Sequence, residues 1–182
     1  MRRVARSSCR GLTLIELMVT IAIGTILALM ALPMYSSWIA GQQVRAATES
    51  VYEGIRVAQT EAVRRNAPVA FVLDTGKGWE VQLVSDDSVL RTGLLIEGSP
   101  KVSLTVDPVG TTTVVFDGLG RVLKDDAVTP LDERITIDVD TTTSFTGVRA
   151  LRVLVDTAAA TGVGIRTCDP KRSVGDPQAC PA

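Results

Sequence analysis

The sequence predicts an α+β chain, with one long N-terminal helix whose first half spans a membrane and whose second half packs on a C-terminal antiparallel β-sheet domain. Three observations lead there. Between Leu17 and Val44 no residue is charged, and Leu17–Leu32 (LMVTIAIGTILALMAL) is almost wholly apolar. Past that run, apolar residues recur at spacings of three and four, the period of a helix. From Val69 onward, short runs rich in valine and threonine alternate with Gly, Pro and Asp clusters, the pattern of strands and turns. A length of 182 residues suits one domain, two at most. A chain that is 46% hydrophobic and 21% charged, with mean hydropathy +0.25, is too apolar for disorder.

Composition removes whole classes of chemistry. The chain has no histidine, which excludes His-based acid/base catalysis, Ser-His-Asp and Cys-His nucleophiles and nearly every catalytic zinc site. Aromatic residues make up 4% of the chain, too few for a surface that stacks bases or sugar rings. The three cysteines, Cys9, Cys168 and Cys180, form no C-x-x-C pair, so neither a zinc ribbon nor a thioredoxin-like motif fits. No G-x-S-x-G or Walker loop occurs, and no enzymatic constellation emerges.

The helix comes first. Arg2, Arg3, Arg6 and Arg10 lie within residues 1–11 without an acid; they are four of 19 basic residues, leaving 15 against 20 acids and a net of −5 beyond that segment. Leu12–Leu32 supplies 21 positions interrupted by one acid, Glu16, and a bilayer core needs roughly 20. Arginines ahead of such a span predict a cytoplasmic N-terminus and an exported C-terminal part. A cleaved secretory signal fits less well, because no A-x-A-like site closes a short apolar core. A buried core helix does not explain the basic flank. Glu16 asks for a partner, since a carboxylate near a bilayer centre costs a few kcal/mol; at headgroup level it would simply face the positive helix N-terminus.

Gly11-Leu12-Thr13-Leu14-Ile15-Glu16-Leu17-Met18-Val19 resembles the type IV prepilin signature. The resemblance implies cleavage by a prepilin peptidase between Gly11 and Leu12, followed by N-methylation of Leu12, where the family usually has Phe. Such a cut discards the four leader arginines and Cys9 and leaves an amine on Leu12, one helical turn from Glu16. In a filament, the amine of one subunit can neutralise Glu16 of its neighbour; desolvating both charges together is less costly than burying either alone. The resemblance thus divides the chain into a leader (1–11), a long helix (12–66, with 12–32 as transmembrane segment and filament core) and a periplasmic β-rich domain (67–182).

Pro33 follows the apolar core and can kink a helix without ending it. Val44, Ala47, Val51, Ile55, Ala58 and Ala62 then form an apolar stripe, Glu61 and Arg65 stand four residues apart, and Asn66-Ala67-Pro68 predicts the stop. Gly41 and Gly54 read as weak points. The predicted strands are Val69–Asp74 and Gly78–Ser85 around Thr75-Gly76-Lys77, then Val89–Glu97, Lys101–Val106, Thr112–Asp117, Arg121–Lys124, Arg134–Asp140 and Arg149–Asp156, with a strand-like run over Gly162–Cys168. No helix signal recurs between them, so a doubly wound parallel sheet is excluded in favour of antiparallel sheet on the distal half of one helix.

With the helix end (Arg45-Ala46-Ala47-Thr48-Glu49, then Ile55 to Asn66), Trp79 and Phe116-Asp117-Gly118-Leu119-Gly120-Arg121, the chain resembles the minor pilins and pseudopilins of the FimT/FimU/GspH group. The resemblance implies a type IV pilin-like fold and no enzymatic activity. It also implies assembly with other minor pilins and the major pilin, or with pseudopilins, at the inner membrane. The role it implies is initiation of a type IV pilus serving motility, adhesion or DNA uptake, or alternatively a GspH-type part in type II secretion.

Cys168 and Cys180 in an exported domain predict a disulfide; closing a loop of about 13 residues contributes roughly 3 kcal/mol in the chain-entropy model. The bond either staples the terminus or presents Arg166, Lys171 and Arg172 as a contact patch. Some FimT-like proteins are associated with DNA capture through a C-terminal glycine/arginine stretch, but Gly164 stands where that pattern has a second arginine. The three bases of Gly162–Ala182 are offset by Asp169, Asp176 and the terminal carboxylate, and phosphate neutralisation needs several net cations. Asp86-Asp87, Asp125-Asp126 and Asp138/Asp140 lack EF-hand spacing and read as solvated turns and strand ends. No metal and no cofactor is expected.

Overall fold

The computed structural model describes residues 13–75, 78–95, 101–123, 131, 133–143, 145, 147–157, 163–173 and 175–181. The leader, Gly11, Leu12, the hairpin residues Gly76 and Lys77, and Asp125-Asp126 lie outside them. The chain divides into two units, one ending at Ser36 and one spanning Ser37–Ala182.

Helix α1 (Leu14–Arg65) starts one residue after Thr13 and runs without interruption through the backbone of Pro33. In the first unit it is apolar on all sides and exposed throughout, from Leu14 to Leu32. By length and composition it can cross a membrane: its most apolar 18-residue window has a mean hydropathy of 2.3 and buries nothing. Its two central hydroxyls are satisfied within the helix, Thr20 Oγ1 donating to the Leu17 carbonyl at 2.9 Å and Thr25 Oγ1 to that of Ile21 at 2.8 Å. That is how a polar side chain becomes tolerable in hydrocarbon.

In the second unit α1 becomes one-sided. Ala40, Val44, Ala47, Thr48, Val51, Ile55, Ala58 and Ala62 are buried, while Arg45, Glu49, Glu53, Arg56 and Thr60 face solvent. The helix ends in a Schellman arrangement. Asn66 takes φ 49°, its N–H donates to the Val63 carbonyl at 3.3 Å, and the Ala67 N–H donates to that of Ala62 at 3.2 Å. Asparagine tolerates this left-handed conformation better than a branched residue would.

The β-domain departs from a single sheet. Among the described residues nine strands follow: β1 (Val69–Asp74), β2 (Gly78–Leu83), β3 (Val89–Leu94), β4 (Val102–Asp107), β5 (Thr113–Phe116), β6 (Val122–Leu123), β7 (Ile135–Thr141), β8 (Leu151–Asp156) and β9 (Gly164–Cys168). They form two antiparallel sheets, ordered β3-β2-β1-β5-β6 and β4-β7-β8-β9. The helix stripe and the inner faces of both sheets share one core, with Phe71 and Phe116 from the first sheet and Ile135, Ile137, Val139, Val153 and Val155 from the second. Fully burying such side chains contributes on the order of 1.5–3 kcal/mol each.

Trp79 locks helix to sheet. Its ring lies 6.0 Å from that of Phe71, and its Nε1–H donates to Ser50 Oγ on α1 at 3.0 Å. A methyl on Gly54 would stand 2.7 Å from both rings, and one on Gly93 would stand 2.2 Å from the indole. Gly54, a weak point by helix propensity, is therefore the place where α1 approaches the indole. Gly41 has nothing within 4 Å of where a Cβ would stand.

Candidate functional site: helix start, docking loop and C-terminal disulfide loop

At the start of α1, the Glu16 N–H donates to Thr13 Oγ1 at 3.3 Å, making Thr13 the N-cap and Glu16 the third helical residue. Glu16 thus stands in the first turn, where the helix dipole favours a carboxylate, and is the one acidic residue there. Its neighbours Leu14, Ile15, Leu17 and Met18 are all more than half exposed. Gly11 and Leu12, the residues of the expected cleavage, lie outside the described residues.

At the opposite end of α1, the segment Phe116–Arg121 docks on the helix terminus. Asp117 organises it: Oδ1 accepts the N–H groups of Leu119 (2.9 Å) and Arg121 (2.8 Å), and Oδ2 accepts Arg121 Nε (2.8 Å). Burial alone would push the Asp117 carboxyl up, but the Arg121 N–H, the Arg121 guanidinium and the Leu119 N–H outweigh it and hold its pKa below the ordinary carboxylate range. Gln59 Nε2 of the helix donates to the Gly120 carbonyl at 3.1 Å. Gly118 lies against Asn66, where a Cβ would come within 2.5 Å of Oδ1, and Gly120 takes φ +77° beside Val63. Two glycines and an aspartate in this loop are therefore requirements of docking. Sequence reasoning found the segment by likeness and missed this role.

The C-terminal loop is closed by a disulfide between Cys168 and Cys180, twelve residues apart with Cα atoms separated by 5.0 Å. Cys168 ends β9, and just beyond it Asp169 forms an isolated parallel bridge with Ala179. Asp169 is buried; its N–H donates to the Gln178 carbonyl at 2.8 Å, and its Oδ1 accepts the Lys171 N–H at 2.9 Å. Its Oδ2 faces Arg172 Nε at 3.5 Å and Arg149 at 3.9 Å. Arg172 also pairs with Asp176. The Asp176 carboxyl is held below its ordinary range by the Gln178 N–H and then by Arg172.

The three bases of the sequence-based contact patch thus have different surroundings. Arg166, on β9, lies 3.4 Å from Asp156, which also meets Arg134 at 3.6 Å. Arg172 is tied to Asp169 and Asp176 within its own loop. Lys171 is exposed. Two of the three cations therefore serve internal ion pairs, which leaves little free positive charge for a polyanion. Aspartates of the pairs read as solvated turns and strand ends have local roles where they are described. Asp86 accepts the Ser88 N–H (3.2 Å) and hydroxyl (2.8 Å); Asp138 holds Arg152 in a bidentate pair at 2.6 and 2.8 Å; Asp140 accepts the Thr141 N–H at 2.7 Å. Among the described residues no group of three or more His, Cys, Asp or Glu side chains is placed to hold a metal.

Residues 47–162 match the family described as type II transport protein GspH, and residues 6–32 match the prokaryotic N-terminal methylation motif. Among solved structures, the chain is similar to the type IV minor pilin FimU of Pseudomonas aeruginosa, with a TM-score of 0.52 at 13% identity, covering 69% of this chain and 89% of FimU. A second crystal form of FimU gives 0.50 at 15% identity, covering 67% and 91%. The minor pseudopilin EpsH of the type 2 secretion system of Vibrio cholerae gives 0.49 at 12% identity, covering 71% and 99%. At such identities the likeness to FimU shows the fold alone. No curated protein matches the chain.

Proposed function

The chain belongs to the GspH family of minor pilins and pseudopilins, and from that premise we propose that it is a processed, inner-membrane-anchored minor pilin that helps initiate assembly of a type IV pilus. The observation behind this reading is the coincidence, in one helix start, of the methylation motif over residues 6–32 with a span that is apolar on every side. A soluble enzyme or receptor has no use for a helix exposed from Leu14 to Leu32. A subunit that is stored in a bilayer and then drawn into a filament core needs one, because van der Waals packing can replace lipid contact at little cost.

In this reading prepilin peptidase cuts between Gly11 and Leu12, Leu12 is N-methylated, and Glu16 pairs with the new amine of a neighbouring subunit. The N-terminus starts in the cytoplasm and the β-domain stands in the periplasm, contacting other minor pilins and the major pilin. The disulfide loop staples the terminus of the β-domain, and the chain performs no catalysis. The family description itself favours a second reading, a GspH-type pseudopilin of type II secretion. DNA capture at Arg166, Lys171 and Arg172 finds little support, since Arg166 and Arg172 are engaged in ion pairs within the domain.

Deletion of the chain, complemented by wild type or by Glu16→Ala, tests the proposal. The expected result is loss of surface pili on deletion, recovery with wild type, and Glu16→Ala protein that inserts in the membrane yet is absent from sheared filaments. Intact piliation with a loss of protein secretion would favour the pseudopilin reading. Normal filament incorporation of Glu16→Ala would remove the assembly role from that residue.

A further inference from the structure

Among the described residues the two sheets have four edges, and three are blunted. Strand β3 carries a register shift between its pairs with Val81 and Gln82 and the charged Arg91. Strand β6 is two residues long. Strand β9 ends in the disulfide and the Asp169–Ala179 bridge, with Arg166 at its middle. These are the devices by which proteins keep edge strands from pairing with other chains.

Strand β4 has no bulge, no cap and no charge at its middle; its charges, Lys101 and Asp107, stand at its two ends. It pairs with β7 over six consecutive residues without a shift, and a Thr142 N–H to Lys101 carbonyl bond of 2.8 Å carries the ladder back to Lys101. Among the described residues β7 is its one strand neighbour. Its inner-face residues Val102 and Leu104 are only half-buried against the core, while Lys101, Thr105 and Asp107 are exposed.

The sequence of this edge is symmetric about its centre: Lys101-Val102-Ser103-Leu104-Thr105-Val106-Asp107. An antiparallel partner of the same sequence, centred on Leu104, places Leu104 opposite Leu104 and Val102 opposite Val106 on the inner face. On the outer face it places Ser103 opposite Thr105 and Lys101 opposite Asp107, each pair occurring twice. Apolar residues then face apolar ones, hydroxyls face hydroxyls and each charge faces its opposite, all on the correct side of the pleat. The Lys101 ammonium is held at this end of the strand by the Phe145 ring, 5.4 Å away. Near the other end, Arg152 feels the Asp107 charge but makes its bidentate pair with Asp138.

We infer that β4 is a homotypic docking edge, on which a second copy of this chain adds its own β4 in antiparallel register to continue the four-stranded sheet. The interface is isologous, as two-fold symmetry requires. It is small, and anchoring both copies in one membrane raises their effective concentration enough for it to be populated. This inference goes beyond the pilus reading and depends on sheet topology, not on removal of residues 1–11.

Cysteine pairing in the full-length chain, in native membranes and in a Cys9→Ser background, tests it. The double variant Ser103→Cys/Thr105→Cys is expected to form disulfide-linked dimers under mild oxidation, whereas each single variant forms several-fold fewer. Lys101→Glu introduced into the double-cysteine chain should weaken dimerisation about tenfold, since it turns two attractive cross-strand pairs into repulsive ones. Adding Asp107→Lys should restore it. Cross-linking no greater than that of the single variants overturns the inference. Failure of the charge swap to restore an effect of Lys101→Glu overturns self-pairing as well, pointing to a strand from a different protein. A change in pilus number without a change in cross-linking bears on the pilus reading and leaves this one standing.

Discussion

Trp79 is packed between Gly54 of α1 and Gly93 of β3, and replacing Gly93 by alanine tests whether that packing holds helix and sheet together. The backbone of Gly93 lies outside the left-handed region, so alanine meets no conformational penalty there. What it meets is the indole: the new Cβ would stand 2.2, 2.4 and 2.5 Å from Cε2, Cζ2 and Nε1 of Trp79. Ordinary contact begins near 3.5 Å, so the ring must move by about an ångström. It cannot retreat freely, because α1 passes so close at Gly54 that no room for a Cβ is left between helix and indole, and Ser50 holds the indole N–H. Overpacking of this kind costs about 1–3 kcal/mol. With a urea slope of about 1–3 kcal/mol per molar, the midpoint should fall by roughly 1 M. Pulse proteolysis across a urea series reads this for the detergent-solubilised chain without relying on tryptophan fluorescence. Trp79→Phe alone should also destabilise, by loss of packing and of the Ser50 bond, but Gly93→Ala/Trp79→Phe should be more stable than the two single effects predict by at least about 1 kcal/mol. A midpoint for Gly93→Ala within about 0.2 M of wild type, or strict additivity in the double variant, would refute the reasoning.

Other outcomes follow from the same geometry. Asp117 has a folded pKa below its ordinary value of 3.8; its contribution is present above the unfolded pKa and is lost as pH falls through the folded one. Asp117→Asn should therefore lower stability at neutral pH and flatten the acid limb of a stability–pH curve, read by urea midpoints from pH 6 down to about 3. Reducing the Cys168–Cys180 bond, or replacing both residues by serine, should cost roughly 3 kcal/mol, and hydrogen exchange should rise first in β9 and residues 169–181; unchanged exchange there would show the staple to be idle. At the expected cleavage site, Gly11→Ala should leave processing partial or complete and Gly11→Trp should block it, as judged by gel mobility of the membrane-bound chain.

Much of the fold is legible in the sequence because it is local. The stripe Val44, Ala47, Val51, Ile55, Ala58 and Ala62 is written in helical period, and all six residues are buried. Asn66-Ala67-Pro68 stops the helix at Arg65, and each strand falls within two or three residues of its valine-rich run. The division into two sheets is not legible, because pairing is non-local: nothing within Val102–Asp107 announces that it leaves its predecessors to join β7. The Trp79 packing is hidden for the same reason. Gly54 looks like a flaw in a helix until β2 and β3 bring the indole to it. At the C-terminal loop the disulfide follows from cysteine number and compartment, whereas the quenching of Arg166 depends on Asp156, ten residues away on the neighbouring strand. The helix start is the reverse case, in which the motif is explicit and the partner proposed for Glu16 comes from outside the chain.

An intact mass of the chain extracted from native membranes addresses the central claim most directly. The account predicts a species that begins at Leu12, carries one added methyl group and lacks the two hydrogens of the closed Cys168–Cys180 bond. A chain still bearing Met1 and its four leader arginines, or one cut beyond Leu32, would contradict a filament subunit drawn from the membrane by its own first helix.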